Sequence, residues 1–211
     1  MQVQISPIKC GDRKVSKSRS AKQQYAATIE GTVARNEMDS MADTSCAGSN
    51  WKLIEDTGIT CDVYPFKDGY AAVRDVPIGT CATLVEGDEG SDFILIGHEM
   101  LYFGQELQRS LLNQNQIRAH IRHDHGLVQD DYTRTDTEFG IHTREMFIPF
   151  AMDGASVYFE SRVPTDTEIE TLPRSHVVLT SRDRWDPHTR PLRAACTQVL
   201  PARSRDPGGC V

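Results

Sequence analysis

Short apolar runs rich in β-branched and aromatic residues alternate with turn sequences over most of this 211-residue chain. Runs of about four to eight such residues, bounded by Gly, Pro, Asn or Asp, are typical of β-strands. Asp-Gly pairs such as Asp68-Gly69 and Asp153-Gly154 favour tight hairpin turns between them. The predicted strands are Trp51–Ile54, Thr60–Tyr64, Ala71–Val76, Thr80–Val85, Phe93–Ile96, Phe147–Phe150, Ser156–Phe159 and His176–Leu179.

One segment, Gln105 to Arg122, has a helical pattern, because Leu107, Leu111 and Leu112 are spaced to share one face. We interpret that face as ordinary core packing. The sequence therefore predicts a mainly β fold with one or two short helices. A small barrel or a pair of packed sheets would bury strands of this length.

Charge and turn composition divide the chain into three zones. Residues 1–36 contain seven of the 23 Lys/Arg residues and two of the 30 Asp/Glu residues, a net charge of +5. The rest of the chain therefore has a net charge of −12. We expect residues 1–36 to be a flexible basic leader that contacts nucleic acid weakly at most. Residues 37–180 form the predicted β domain. Residues 181–211, with Pro191, Pro201 and Pro207, are predicted to be a disordered Pro/Gly-rich tail.

The sequence contains neither a membrane-spanning pattern nor a secretion signal. No window approaches the roughly 18 consecutive apolar residues of a transmembrane helix, and the first residues lack an apolar signal region. We expect a cytoplasmic protein without membrane contact, in which the six cysteines stay reduced. No Cys-x-x-Cys pair is present, which argues against a structural zinc site built on thiolates.

The segment Asp39-Ser40-Met41-Ala42-Asp43-Thr44 is the candidate for chemistry. An aspartic protease needs a carboxylate on a tight turn that a Ser or Thr hydroxyl helps to hold. Two such carboxylates share one proton; one activates water and the other protonates the scissile carbonyl. The usual sequence of that turn is Asp-Ser/Thr-Gly-Ala, and here Met41 stands at the glycine position.

The run from Asp39 to Gly48 resembles the Asp-Ser-His-Ala-Asp-Thr-x-x-Ala-Gly run of a group of copia-type retrotransposon polyproteins. Further segments resemble later blocks of that group in the same order, over roughly residues 37–190. They are Asp62–Phe66, Val76–Ile78, His98–Gly104, Ser110–Arg118, Ile148–Phe150, Phe159–Thr165, Leu179–Ser181 and Trp185–Pro187. On this basis the chain is similar to the retropepsin-like aspartic protease region of these polyproteins.

The resemblance implies a retropepsin-like β domain that cleaves its own polyprotein without a metal or organic cofactor. It makes Asp39 the catalytic aspartate, Ser40 the bracing hydroxyl and Met41–Thr44 the rest of the active-site turn. Glycine at position 41 would allow positive φ and a close approach of two loops. With methionine there, either the turn is built differently or the chain is a catalytically inactive β-rich remnant.

Only one Asp-Ser-x-Ala segment occurs, so a complete pair of aspartates requires two copies of the chain. A two-fold axis would bring each Asp39 to its own copy, which predicts a homodimer if the protein is active. A second triplet, Asp56-Thr57-Gly58, is too close in sequence to belong to a duplicated lobe. We expect it to be a hairpin turn between two strands.

A histidine-rich segment offers a different class of function. His120, His123 and His125, with Asp124, resemble the ligand run of metallo-β-lactamase-type hydrolases, although the spacing differs by one residue. The chain shows no βαβ framework for such a site, which favours a polar loop. A metal-dependent hydrolase stays an alternative that tight, stoichiometric zinc binding would reveal. Neither a Gly-x-Ser-x-Gly elbow nor a nucleotide-binding loop is present.

Overall fold

The computed structural model describes residues 28–64, 71–87, 91–121, 127–129, 139–172 and 175–187, with the backbone alone at 127–129. These residues are mainly β, as the sequence predicts, with two short α-helices and a 3-10 turn at Gly104–Glu106. The elements are β1 (Val33–Met38), β2 (Cys46–Ala47), β3 (Lys52–Val63), β4 (Val73–Val85), β5 (Phe93–Tyr102), β6 (Ser110–Leu112), α1 (Gln114–Ile121), β7 (Leu127–Gln129), β8 (Gly140–His142), β9 (Phe147–Pro149), β10 (Ala151–Asp153), β11 (Ser156–Arg162), α2 (Asp166–Thr171) and β12 (His176–Val178).

The main sheet curls into a closed barrel. Its strand order is β10-β11-β1-β6-β2-β5-β4-β3, and β12 pairs in parallel with β5. A further pairing of β11 with β4, at Arg162 and Leu84, joins the strands that are second from either end of this order. Six strands, β11, β1, β6, β2, β5 and β4, therefore close on themselves, which leaves no free edge between them. A separate three-stranded sheet has the order β7-β8-β9.

Strand β6 lies between β1 and β2 although it follows both in sequence by more than 60 residues. It runs parallel to β1, with Met38 opposite Leu112, and antiparallel to β2, with Cys46 opposite Leu111. The turn that joins β1 to β2 must therefore pass over the end of β6, where α1 begins. This arrangement places residues 39–45 beside the first turn of a helix.

Apolar side chains from the closed strands fill the barrel. Trp51, Leu95, Met100 and Leu112 are almost completely buried in one cluster that also includes Ile117 of α1. Burial of apolar surface contributes about 25 cal/mol per Å², so this cluster is the main source of stability. Helix α1 is thereby fixed to the barrel next to the turn at 39–45.

A buried polar network crosses the barrel interior. The Ser161 hydroxyl oxygen lies within hydrogen-bonding distance of three donors: Asn36 Nδ2 at 2.8 Å, Asn50 Nδ2 at 2.9 Å and Thr83 Oγ1 at 2.6 Å. Asn36 Oδ1 accepts the indole N–H of Trp51 at 2.7 Å. Buried polar groups must find partners of this kind, since an unpaired one costs about 1–3 kcal/mol. The network ties β1, β4 and β11 together below the turn.

Several predicted strands are parts of longer ones. Most of Trp51–Ile54 and of Thr60–Tyr64 belongs to the single strand β3, while most of Ala71–Val76 and all of Thr80–Val85 belong to β4. The triplet Asp56-Thr57-Gly58 was expected to be a hairpin turn, and that prediction is wrong. The register shifts between Asp56 and Ile59, and Gly58 has a φ of +71°, so the triplet forms a β-bulge within β3.

The predicted helix from Gln105 to Arg122 is also wrong in its first half. The chain forms the 3-10 turn and then β6, and the helix begins at Gln114. Leu111 and Leu112 lie on a strand, where successive side chains point to opposite faces, and they pack in different apolar clusters. The three leucines do pack in the core, but they do not share a helical face.

The fold extends past both boundaries that composition suggested. Strand β1 begins at Val33, inside the predicted leader, and Trp185 of the predicted tail bonds to the 39–45 turn. The expected disorder of residues 1–27 and 188–211 falls outside the described residues. No helix in the described part of the chain is long and apolar enough to cross a membrane.

Candidate active site

Asp39 is the first residue after β1, and its carboxylate organises the turn that follows. Its Oδ1 accepts the backbone N–H of Met41 at 2.8 Å and that of Ala42 at 3.2 Å. Its own backbone N–H donates to the carbonyl of Leu112 at 2.9 Å, at the end of β6. Asp39 is half-buried, so the carboxylate is held in one orientation at the surface end of the barrel.

Side chains at the start of α1 also hold this turn. Asn113 donates from Nδ2 to the Ala42 carbonyl at 2.7 Å, and Gln116 Oε1 accepts the backbone N–H of Ser45 at 2.9 Å. The Ser45 hydroxyl in turn accepts the Asn113 backbone N–H at 3.0 Å. Both ends of the turn are therefore fixed to the junction between β6 and α1.

A third support comes from the segment after β12. The indole N–H of Trp185 donates to the Asp43 carbonyl at 2.6 Å. Asp43 and Thr44 are half-buried, and Ala42 is buried at 4% exposure. The small side chain expected at position 42 therefore faces the interior.

Met41 does not require the conformation that a glycine would supply. Among the described non-glycine residues, only Asp75 and Glu99 have positive φ. The Met41 side chain is 72% exposed and points away from the barrel. The Met41 backbone therefore has a conformation open to ordinary residues.

Ser40 is exposed, and within the described part of the chain its hydroxyl forms no hydrogen bond. The hydrogen bonds that brace the turn come instead from Asn113, Gln116 and Trp185. The bracing role that the resemblance implies for Ser40 stays a prediction.

The cysteine nearest the turn has no free thiolate. Burial, together with the nearby Cys61 and Asp39, raises the pKa of the Cys46 thiol to about 12. A thiol with such a pKa is protonated at neutral pH and is a poor nucleophile.

The structure does not bring the other candidate residues to this turn. Asp56 lies on the exposed bulge of β3, and its Oδ1 accepts the Gly58 N–H at 2.8 Å. His120 lies half-buried on α1, whereas His123 and His125 lie outside the described residues. Where the structure describes the chain, it shows no group of three His, Cys, Asp or Glu side chains that could hold a metal ion.

Sequence reasoning assigned no role to the three side chains that brace the turn. Asn113 and Gln116 have the spacing of a helix N-cap signature, in which Asn is followed three residues later by Gln. This signature, had it been applied, would have placed the helix start at Gln114. Trp185 has no local signal, because its partner lies 142 residues away.

In the described residues, fold and site together form a six-stranded barrel with a half-buried carboxylate on a turn that several hydrogen bonds hold. No known protein family, no curated protein and no solved structure matches this chain significantly.

Proposed function

We propose that this chain is one half of an aspartic endopeptidase of the retroelement type, active as a homodimer. The observation that carries the proposal is the Asp39 turn. Its carboxylate is oriented by two backbone N–H groups, and its backbone is fixed by Asn113 and Gln116. A catalytic carboxylate needs such a fixed position at an accessible surface.

The chemistry requires a second carboxylate. Asp39 of one protomer and Asp39 of a second copy, related by a two-fold axis, would share one proton because like charges at about 3 Å cannot both ionise. The ionised member would take a proton from water as it attacks the peptide carbonyl. The protonated member would give its proton to the carbonyl oxygen. The substrate is an extended peptide, in the first place a segment of the chain's own polyprotein.

A second candidate is a non-catalytic, β-rich remnant of such an enzyme. The observation that favours it is the exposed Met41 side chain, two residues from Asp39. Two loops that must meet across a two-fold axis would each bring this side chain to the contact. The remnant would fold and would not cleave.

Cleavage assays on the purified full chain distinguish the two candidates. The chain is incubated at pH 4–7 with an upstream polyprotein segment, with and without a statine-type inhibitor. Asp39→Asn removes the shared proton but keeps an oxygen for the Met41 and Ala42 N–H groups. Asp56→Asn is the matched control, because Asp56 also accepts a backbone N–H within an Asp-Ser/Thr-x motif.

We expect inhibitor-sensitive cleavage that Asp39→Asn abolishes and Asp56→Asn retains. Specific activity should fall on dilution, because the site is complete only in the dimer. A folded, dimeric preparation without cleavage would leave the remnant as the function. Activity that depends on Asp39 in a strict monomer would refute the shared carboxylate pair.

A further inference from the structure

The segment after β12, residues 179–187, is here called the strap. It continues the parallel path of β12 along β5. The Leu179 N–H donates to the Ile96 carbonyl at 2.8 Å. The Thr180 hydroxyl then accepts the His98 backbone N–H at 2.7 Å and donates to the His98 carbonyl at 2.8 Å. Thr180 is 2% exposed, so this attachment to the strand is buried.

Trp185 lies further along the strap and joins it to the candidate active site. Its indole N–H donates to the Asp43 carbonyl at 2.6 Å, and its backbone N–H donates to Glu99 Oε2 at 3.3 Å. Trp185 is half-buried. One residue thus bonds to the Asp39 turn and to β5 at the same time.

Glu99 is in an unusual backbone conformation for its residue type. Its φ is +55°, within strand β5, where the register of pairing with β4 shifts. A non-glycine residue in this region costs of order 1–2 kcal/mol, and such strain persists only where the surroundings impose it. The Glu99 carbonyl also lies 3.4 Å from Gln116 Nε2, on the side chain that holds Ser45. The strained residue thus contacts two of the groups that brace the turn.

We propose that the strap fixes the shape of the Asp39 turn and that Trp185 is its positioning residue. Asn113 and Gln116 hold Ala42 and Ser45, and the Trp185 indole holds the carbonyl of Asp43 between them. Loss of the indole N–H would remove this support from the Asp43 carbonyl. The proposal rests on the proposed function only where it gives the fixed turn a catalytic purpose.

Amide hydrogen exchange of the full chain tests the strap without a substrate. Trp185→Phe removes the indole N–H and keeps an aromatic ring on the half-buried surface. We expect exchange at the Met41, Ala42 and Ser45 amides to become about fivefold faster, which corresponds to the loss of one ordinary hydrogen bond. The matched control is Trp51→Phe, which also removes an indole N–H bond, to Asn36 in the barrel interior. In Trp51→Phe, the acceleration of amide exchange should spread over the strands of the barrel.

A second variant loosens the strap at a distance from the turn. Thr180→Val keeps the side-chain shape and removes both hydrogen bonds to His98. In Thr180→Val, amide exchange should also accelerate at the turn, and by more than at the amides of β10 and β11. Unchanged exchange at the turn in Trp185→Phe, or the same uniform pattern as in Trp51→Phe, would overturn the proposal.

Peptidase kinetics separate this proposal from the function it deepens. If the wild type cleaves, Trp185→Phe should lower kcat several-fold at nearly constant KM, because the turn and not the substrate contacts is disturbed. A several-fold rise of KM with unchanged kcat would contradict a positioning role. If the wild type shows no Asp39-dependent cleavage, the proposed function fails, and the exchange pattern still decides whether the strap fixes the turn.

Discussion

The side-chain amide of Asn113 donates to the carbonyl of Ala42 at 2.7 Å, which joins the first turn of α1 to the turn that carries Asp39. The same side chain caps the helix, because its Oδ1 accepts the backbone N–H groups of Asn115 at 2.7 Å and Gln116 at 3.2 Å. Asn113, which is 2% exposed, therefore both caps α1 and fixes the turn at Ala42. The position of the carboxylate is tied to the formation of the helix.

Two substitutions at Asn113 separate these roles. Asn113→Asp keeps an oxygen for the helix cap but replaces the donor to Ala42 by a second acceptor, which we expect to lower the free energy of unfolding by about 1–2 kcal/mol. Asn113→Ala loses the cap as well and should cost about 1 kcal/mol more. Urea denaturation gives both values, and circular dichroism reports helix content. An aspartate variant as stable as the wild type would show that the bond to Ala42 has no net effect.

The sequence contained enough information for the fold class but not for the topology. Alternating β-branched runs and Asp-Gly turns predicted a mainly β chain, and the structure confirms it. Ser110–Leu112 misled the periodicity argument, since three residues of strand next to a true helix read as one longer amphipathic segment. That strand pairs with β1 and β2, and such pairing over more than 60 residues has no local signature.

The sequence identified the turn that carries Asp39 but not the side chains that support it. Asp39 could be picked out from its motif, and its turn could be expected to need support. The groups that support it come from the start of α1 and from the strap, and residues 181–187 of the strap were assigned by their composition to a disordered tail. Composition reports the average behaviour of a segment, whereas Trp185 is held by two long-range hydrogen bonds, to Asp43 and to Glu99.

Placing glycine at position 41 is expected to weaken the fold. The Met41 φ is not in the left-handed region, so glycine relieves no strain and only increases the entropy of the unfolded chain. Met41→Gly should therefore cost about 0.5–1 kcal/mol, while the control Met41→Ala should lie within about 0.5 kcal/mol of the wild type. Thermal denaturation measures both. A Met41→Gly protein that is more stable than the wild type would mean that this turn requires glycine after all.

A charged pair fixes α2 to the end of β11. Arg162 donates from Nη1 and Nη2 to the two carboxylate oxygens of Glu168 at 3.0 Å and 2.7 Å. The same carboxylate accepts the Thr165 backbone N–H, and the Thr165 hydroxyl accepts the Glu168 N–H, which completes a capping box. The bonds from Arg162 lower the pKa of Glu168 to about 2, despite the opposing effect of burial.

Stability should therefore depend on pH through Glu168. Its pKa is lower in the folded state than its ordinary value of 4.5, so its contribution is complete above pH 4.5. That contribution is lost as the pH falls from about 4.5 through about 2. We expect Glu168→Gln to cost about 1–2 kcal/mol at pH 7, after allowance for solvent screening of a partly exposed pair.

The difference between Glu168→Gln and the wild type should shrink below pH 4.5 and vanish only below about pH 2, as measured by urea denaturation at each pH. Glu170→Gln is the matched control, because Glu170 is an exposed residue on the same helix. It should change the free energy of unfolding by less than about 0.5 kcal/mol. A pH-independent effect of Glu168→Gln would show that the pair with Arg162 does not stabilise the fold.

Removal of the Ser161 hydroxyl should weaken the barrel. Ser161→Ala takes away an acceptor that Asn36, Asn50 and Thr83 share at 2.6–2.9 Å, in an interior where water cannot replace it. Each donor keeps a second acceptor, which is the carbonyl of Phe159 for Asn36, of Ala34 for Asn50 and of Asn50 for Thr83. We therefore expect a loss of about 1–2 kcal/mol in the free energy of unfolding, the net value of lost buried hydrogen bonds. Ser156→Ala, at the start of the same strand β11 and only half-buried, is the control and should cost less than about 0.5 kcal/mol. Equal effects of the two substitutions would mean that the donors find other partners, and the network would then not be what holds β1, β4 and β11 together below the Asp39 turn.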